Sequence, residues 1–88
     1  MKLQVRYFAA LREALGPGEA LSWPTAAEAP GTVAALRDWL IGRSAAHADA
    51  LGERARGVRC ACNQELCAPD QPLADGDEVA FFPPVTGG

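Results

Sequence analysis

Residues 2–8 alternate, with Leu3, Val5 and Tyr7 on one side and Lys2, Gln4 and Arg6 on the other. A period of two predicts a half-buried strand. Phe8 then falls on the polar side, an aromatic ring with no core to enter. Residues 9–15 are good helix formers, stopped by Gly16-Pro17-Gly18. A second strand is expected over 19–23, ending before Pro24, and an Ala/Pro-rich loop over 24–31. The main helix is expected at about 33–41. Val33, Leu36 and Leu40 recur at helical spacing, Thr32 suits the N-cap and Gly42 suits the C′ position. A short helical turn is expected around 45–53. Residues 58–62 read as a strand, Asn63-Gln64-Glu65 as a turn, and Leu66-Cys67 as a short returning strand. Asp75-Gly76-Asp77 is a strong turn signal before a last strand at 78–82, with Val79 and Phe81 inward and Phe82 outward.

Two strands before the main helix and the rest after it predict an α+β fold of the β-grasp kind, a mixed sheet packed on one main helix. The expected organisation is a β-grasp domain over 1–82 and a flexible, extended tail over 83–88. At 88 residues there is room for one domain and none for a pocket walled on all sides. No apolar run approaches the ~20 residues that span a bilayer. The first 15 residues are broken by Arg6, Arg12 and Glu13, so no apolar h-region forms and no signal peptide is expected. A cytoplasmic protein without a membrane partner is expected.

The net charge of −3 argues against phosphate-driven nucleic-acid binding. All eight basic residues lie before position 60, whereas Glu65, Asp70, Asp75, Asp77 and Glu78 follow it. That acidic half reads either as a surface that steers a basic partner or as solvated turns.

Motifs of enzyme chemistry are missing. There is no P-loop and no dinucleotide-binding glycine pattern. His47, the only histidine, stands in an Ala-rich polar stretch and reads as a surface residue. Cys60, Cys62 and Cys67 fall short of the four ligands of a structural zinc site, so no metal is expected and the thiols read as buried or half-buried and reduced. A two-residue turn at Asn63-Gln64 would set Cys60 directly opposite Cys67; a three-residue loop would shift the pairing. Arg54, Arg56 and Arg59 could hold an anion, but a solvated approach to the strand explains them as well.

The sequence ends Pro83-Pro84-Val85-Thr86-Gly87-Gly88. Two prolines favour an extended departure from the sheet. Six residues at ~3.3–3.6 Å each reach roughly 20 Å. Two glycines make the end thin enough to enter a channel that would reject any Cβ. A frayed terminus is the plain alternative.

Residues 73–88, LADGDEVAFFPPVTGG, with VRYFAALREALG at 5–16 and ACNQEL at 61–66, resemble the MoaD/ThiS-type ubiquitin-like sulfur carriers, within them the small subunits of molybdopterin synthases. The resemblance covers nearly the whole chain. It departs at Cys62, where an aliphatic residue is usual, and in the Ala/Pro-rich loop. It implies that a ubiquitin-activating-like adenylyltransferase uses ATP to adenylate the Gly88 carboxylate. A sulfur donor protein then replaces AMP and leaves a thiocarboxylate. The tail, Pro83 to Gly87, would thread into a large subunit, where the sulfur passes to cyclic pyranopterin monophosphate to build the dithiolene of molybdopterin. The catalytic side chains are expected on that large subunit, in a heterotetrameric synthase, and no cofactor is expected on this chain. Phe8 and Phe82, outward on neighbouring strands, are the expected partner contacts. A thiamine-pathway sulfur carrier and a ubiquitin-like modifier conjugated through Gly88 are the alternatives.

Overall fold

Strand β1 (Lys2–Tyr7) alternates exposed and buried residues from end to end, as its sequence period requires. Helix α1 (Ala10–Leu15) follows, then β2 (Gly18–Ser22), α2 (Val33–Ile41), α3 (Ala45–Leu51), β3 (Arg59–Cys62), β4 (Glu65–Cys67) and β5 (Glu78–Phe82). This computed structural model describes residues 1–52, 55 and 57–84. Arg54 and Arg56 of the arginine cluster, and Val85, Thr86, Gly87 and Gly88 of the tail, lie outside the described residues.

The sheet order is β2-β1-β5-β3-β4, with β5 parallel to β1 and the other pairs antiparallel. This is the mixed sheet of a β-grasp, and the first and last strands form its centre. The core lies on one face, between that sheet and the three helices. β1 contributes Leu3, Val5 and Tyr7; β5 contributes Val79 and Phe81; α2 contributes Val33, Leu36 and Leu40. Leu36 and Leu40 are fully buried, each contributing about 1.5–3 kcal/mol relative to exposure.

Local signals explain the helix starts. Thr32 Oγ1 accepts from the Ala35 amide at 3.1 Å, the expected N-cap of α2. Ser44 does the same for α3, accepting from the His47 amide at 3.1 Å, a cap the sequence reading passed over. Gly42 follows α2 as expected, but at φ −74° it stays right-handed, so the conformational freedom of glycine is not used there. The β3–β4 turn is the two-residue form. Asn63 and Gln64 both have positive φ, and Cys62 pairs with Glu65.

Candidate functional site

The outward face of the sheet follows from register. Arg6, Ala80, Ala61 and Leu66 form one row across β1, β5, β3 and β4. Phe82 pairs with Arg59 in the next row. Tyr7 pairs with Phe81, so Phe8 and Phe82 each follow one member of a register pair. The Phe8 amide continues the ladder, donating to the Phe81 carbonyl at 3.2 Å. Phe8 is 43% exposed and Phe82 half-buried, in agreement with their expected outward parity.

Leu66, at 68% exposure, is the most exposed large apolar side chain among the described residues, and the sequence reading did not single it out. Its signal lay in the register: once Asn63-Gln64 is a two-residue turn, Leu66 stands opposite outward-facing Ala61. Two small alanines, buried Ala61 and half-buried Ala80, therefore floor a strip between Leu66 on one edge and the phenylalanines near the centre. Charges border it: Arg6 and Glu78 pair at 3.3 Å, and Arg59 is exposed.

Beside this face β5 runs out into Pro83 and Pro84. Both prolines line a groove of about 500 Å³ whose walls are mostly small and apolar: Ala10, Ala14, Ala46 and Ala50 from α1 and α3, with Val58. Gly57 supports the tail root from the side. Its φ is +76°, and a Cβ there would stand 3.0 Å from Pro84 Cγ. Only glycine supplies both that backbone and that clearance without strain.

Between β2 and α3 polar side chains satisfy one another. Glu19 on β2 accepts from the Tyr7 hydroxyl at 3.1 Å and from His47 Nε2 at 3.3 Å, and it pairs with Arg43. The Glu19 carboxylate only accepts, so His47 donates to it from Nε2, while the Ser44 hydroxyl lies 2.7 Å from Nδ1. His47 is thus not the free surface residue expected from its neighbours; only 16% of its side chain is exposed. Its partner Glu19 is 28 positions away in the sequence. Burial raises Glu19, but hydrogen bonds from His47, Arg43 and Tyr7 outweigh it and hold the carboxyl below its ordinary value. Burial, helped by the Glu19 charge, pushes the Tyr7 phenol well up. Serine, histidine and carboxylate here fix α3 to β2: the Ser44 oxygen is occupied as a helix cap, so the set is no nucleophile relay.

Cys60 and Cys62 are buried and Cys67 half-buried, all as free thiols. Among the described residues no group of three His, Cys, Asp or Glu side chains could hold a metal ion. None of the helices described is long and apolar enough to cross a membrane.

A sheet centred on its first and last strands, with an apolar outer strip and a proline-led exit from the middle, defines a ubiquitin-like β-grasp protein. Residues 5–88 match the ThiS family, and the chain belongs to that family. It is 45% identical to the molybdopterin synthase sulfur carrier subunit of Escherichia coli, over 98% of this chain and 99% of that one. Among solved structures it is similar to SAMP1 from Haloferax volcanii, with a TM-score of 0.72 and 30% identity over the whole of both chains. It is also similar to a chain in the complex of subunits 1 and 2 of the molybdopterin-converting factor from Helicobacter pylori, with a TM-score of 0.66 and 27% identity, again over both chains.

Proposed function

We propose that this chain is the sulfur carrier subunit of a molybdopterin synthase and that its reacting atom is the Gly88 carboxyl carbon. The observation that carries the reading is the end-to-end likeness to a sulfur carrier subunit. The central position of β5, from which Pro83 and Pro84 depart, supports it.

The chemistry follows from the carboxylate. Its leaving group would be oxide, so it cannot accept sulfur directly. An ATP-using adenylyltransferase joins it to the α-phosphate and releases pyrophosphate. Sulfide-level sulfur from a sulfur donor protein then attacks the acyl carbon, the bond from that carbon to the AMP oxygen breaks, and the thiocarboxylate remains as AMP leaves. Val85, Thr86, Gly87 and Gly88 enter the large subunit, while Phe8, Phe82 and Leu66 seat the body against it. The subunit 1–subunit 2 complex of the H. pylori relative supports such a partner. Sulfur then passes to cyclic pyranopterin monophosphate, and two transfers complete the dithiolene.

Deleting Gly88 tests the reading. The carboxylate then ends about 3.3–3.6 Å short, and positional errors of ~1 Å can cost on the order of a hundredfold in rate. The variant should melt normally, yet gain no adenylate and no sulfur-for-oxygen mass change when treated with activating enzyme, ATP and a sulfur donor. Near-normal pterin sulfuration by this variant would overturn the proposal. A variant with all three cysteines changed to serine should still carry sulfur if it folds, because the cysteines are not the store. A large covalent adduct on the protein isolated from its host would favour the modifier reading.

A further inference from the structure

Cys60 and Cys67 are register partners across the β3–β4 hairpin, and their sulfurs stand 3.7 Å apart. Directly opposed residues in an antiparallel pair have Cα atoms ~4.5–5.5 Å apart, inside the ~4.4–6.8 Å range of disulfides. Side-chain rotation alone therefore brings the sulfurs to bonding distance. Cys62 is differently placed. It pairs with Glu65, and its thiol points to Asp77 Oδ2 at 3.8 Å.

Cys60 is buried, so any reagent reaches the pair through Cys67. Cys67 and Cys62 line an open groove of about 370 Å³ with Gln71, Pro72, Glu65 and Asp77. The two carboxylates in that groove disfavour an anionic reagent and admit a small neutral one. Burial and the neighbouring Cys60 push the Cys67 thiol up to about 12, so at rest it is protonated; only its small thiolate fraction reacts, and that fraction grows as the pH rises.

We propose that Cys60 and Cys67 are a reversible oxidation site for small uncharged hydroperoxides, closing to an intrachain disulfide. The Cys67 thiol gives up its proton and its sulfur attacks one peroxide oxygen; the O–O bond breaks, and the departing oxygen takes up a proton and leaves as water, or as an alcohol from an alkyl hydroperoxide, giving a sulfenic acid. The Cys60 sulfur then attacks the Cys67 sulfur, the S–OH bond breaks and a second water leaves. Two thiols give up two electrons and two protons, and one hydrogen peroxide is reduced to two waters. A dithiol reverses the bond by exchange. Cys60 and Cys67 have the core-side parity of the hairpin and Leu66 the opposite parity, although Leu66 also borders the same groove at the sheet edge; the bridge ties the short edge strand β4 to β3.

The test treats the full chain with stoichiometric hydrogen peroxide and reads intact mass. The expected product has lost two hydrogens, is monomeric and returns to the starting mass with dithiothreitol. Cleavage after Glu65 separates Cys67 from the other two cysteines. In the oxidised wild type the two peptides should remain joined, and fragmentation should place the link on Cys60. Cys62→Ser should keep the two-hydrogen loss, and Cys67→Ser should abolish it. The bridge should form faster with peroxide than with oxidised glutathione, an anion, by about tenfold or more. A link mapped to Cys62, oxygen addition without a bridge, covalent dimers, or faster reaction with glutathione would each overturn the proposal. The wild-type map stands even if a variant does not fold.

Discussion

The two edges of the sheet are finished in opposite ways. At the β2 edge, Glu19 collects hydrogen bonds from Tyr7, Arg43 and His47, tying β2 to β1 and α3. Trp23 packs edge-to-face on Trp39 with ring centroids 5.1 Å apart, and the Arg43 guanidinium lies over Trp39 at 5.0 Å. At the β4 edge, a three-residue strand carries exposed Leu66 outside and one thiol, Cys67, inside, and among the described residues β3 is its only strand neighbour. One edge spends its polar groups on rigidity. The other keeps an apolar surface open, and the central exit of β5 lies between them. A carrier of the proposed kind needs both: a body that does not deform when its tail is drawn into an enzyme, and a face that can be covered and released.

The largest break in that contrast should come from Glu19→Ala. It strands the Tyr7 hydroxyl and leaves Arg43 and His47 unpaired, and charged hydrogen bonds of this kind are worth about 1.5–3 kcal/mol. We expect urea unfolding to show a loss of about 2–3 kcal/mol; a loss below half a unit would mean that the β2 edge is not held by this network. The same residue sets a pH dependence. Because the folded carboxyl lies below its ordinary 4.5, its contribution is complete above that value and is lost as the pH falls through the lower, folded value. Glu19→Gln should therefore trail the wild type most above pH 4.5 and converge with it in acid. A constant gap across a stability–pH series would rule this out.

On the open side, Phe82→Ala should weaken binding to the large subunit by about 1–3 kcal/mol, in the range of aromatic interface anchors, with circular dichroism unchanged. Equal affinity by calorimetry would remove the central phenylalanines from the interface. Ser44→Ala tests the helix end of the tied side and should cost about 1 kcal/mol, the usual value of an N-cap, without touching docking. Leu66→Ala should leave stability within about 0.5 kcal/mol, as exposed substitutions do, while measurably lowering affinity. A large fall in its melting temperature would show that Leu66 packs in the folded body rather than serving as contact surface.

Much of this was legible before any coordinates. The alternation of Leu3, Val5 and Tyr7, the Thr32 cap and the Asp75-Gly76-Asp77 turn are short-range signals, and the strand and helix they mark form where expected. Phe8 and Phe82 were legible for the same reason, since parity along a strand is local. Leu66 was not, because its face depends on whether the turn before it takes two residues or three. Gln64 at φ 70° gives no residue-type hint of the answer. His47 was misread because its environment is built by Glu19, from a strand far away in the chain. The role of Gly57 depends on where Pro84 passes, which no spacing reveals.

Placing β5 between β1 and β3 has a consequence for how the chain is made. Until residues 78–82 leave the ribosome, the β1–β2 pair and the β3–β4 hairpin have no strand to join them. The middle of the sheet is absent, and with it Val79 and Phe81 of the core. Pairing Val5 with Val79 closes nearly the whole chain into one loop, a long-range step that must precede the contacts that reward it. Folding is therefore concerted and late. The strand that completes the sheet is also the one that leads into the prolines, so an unfinished chain has neither a stable body nor a rooted tail.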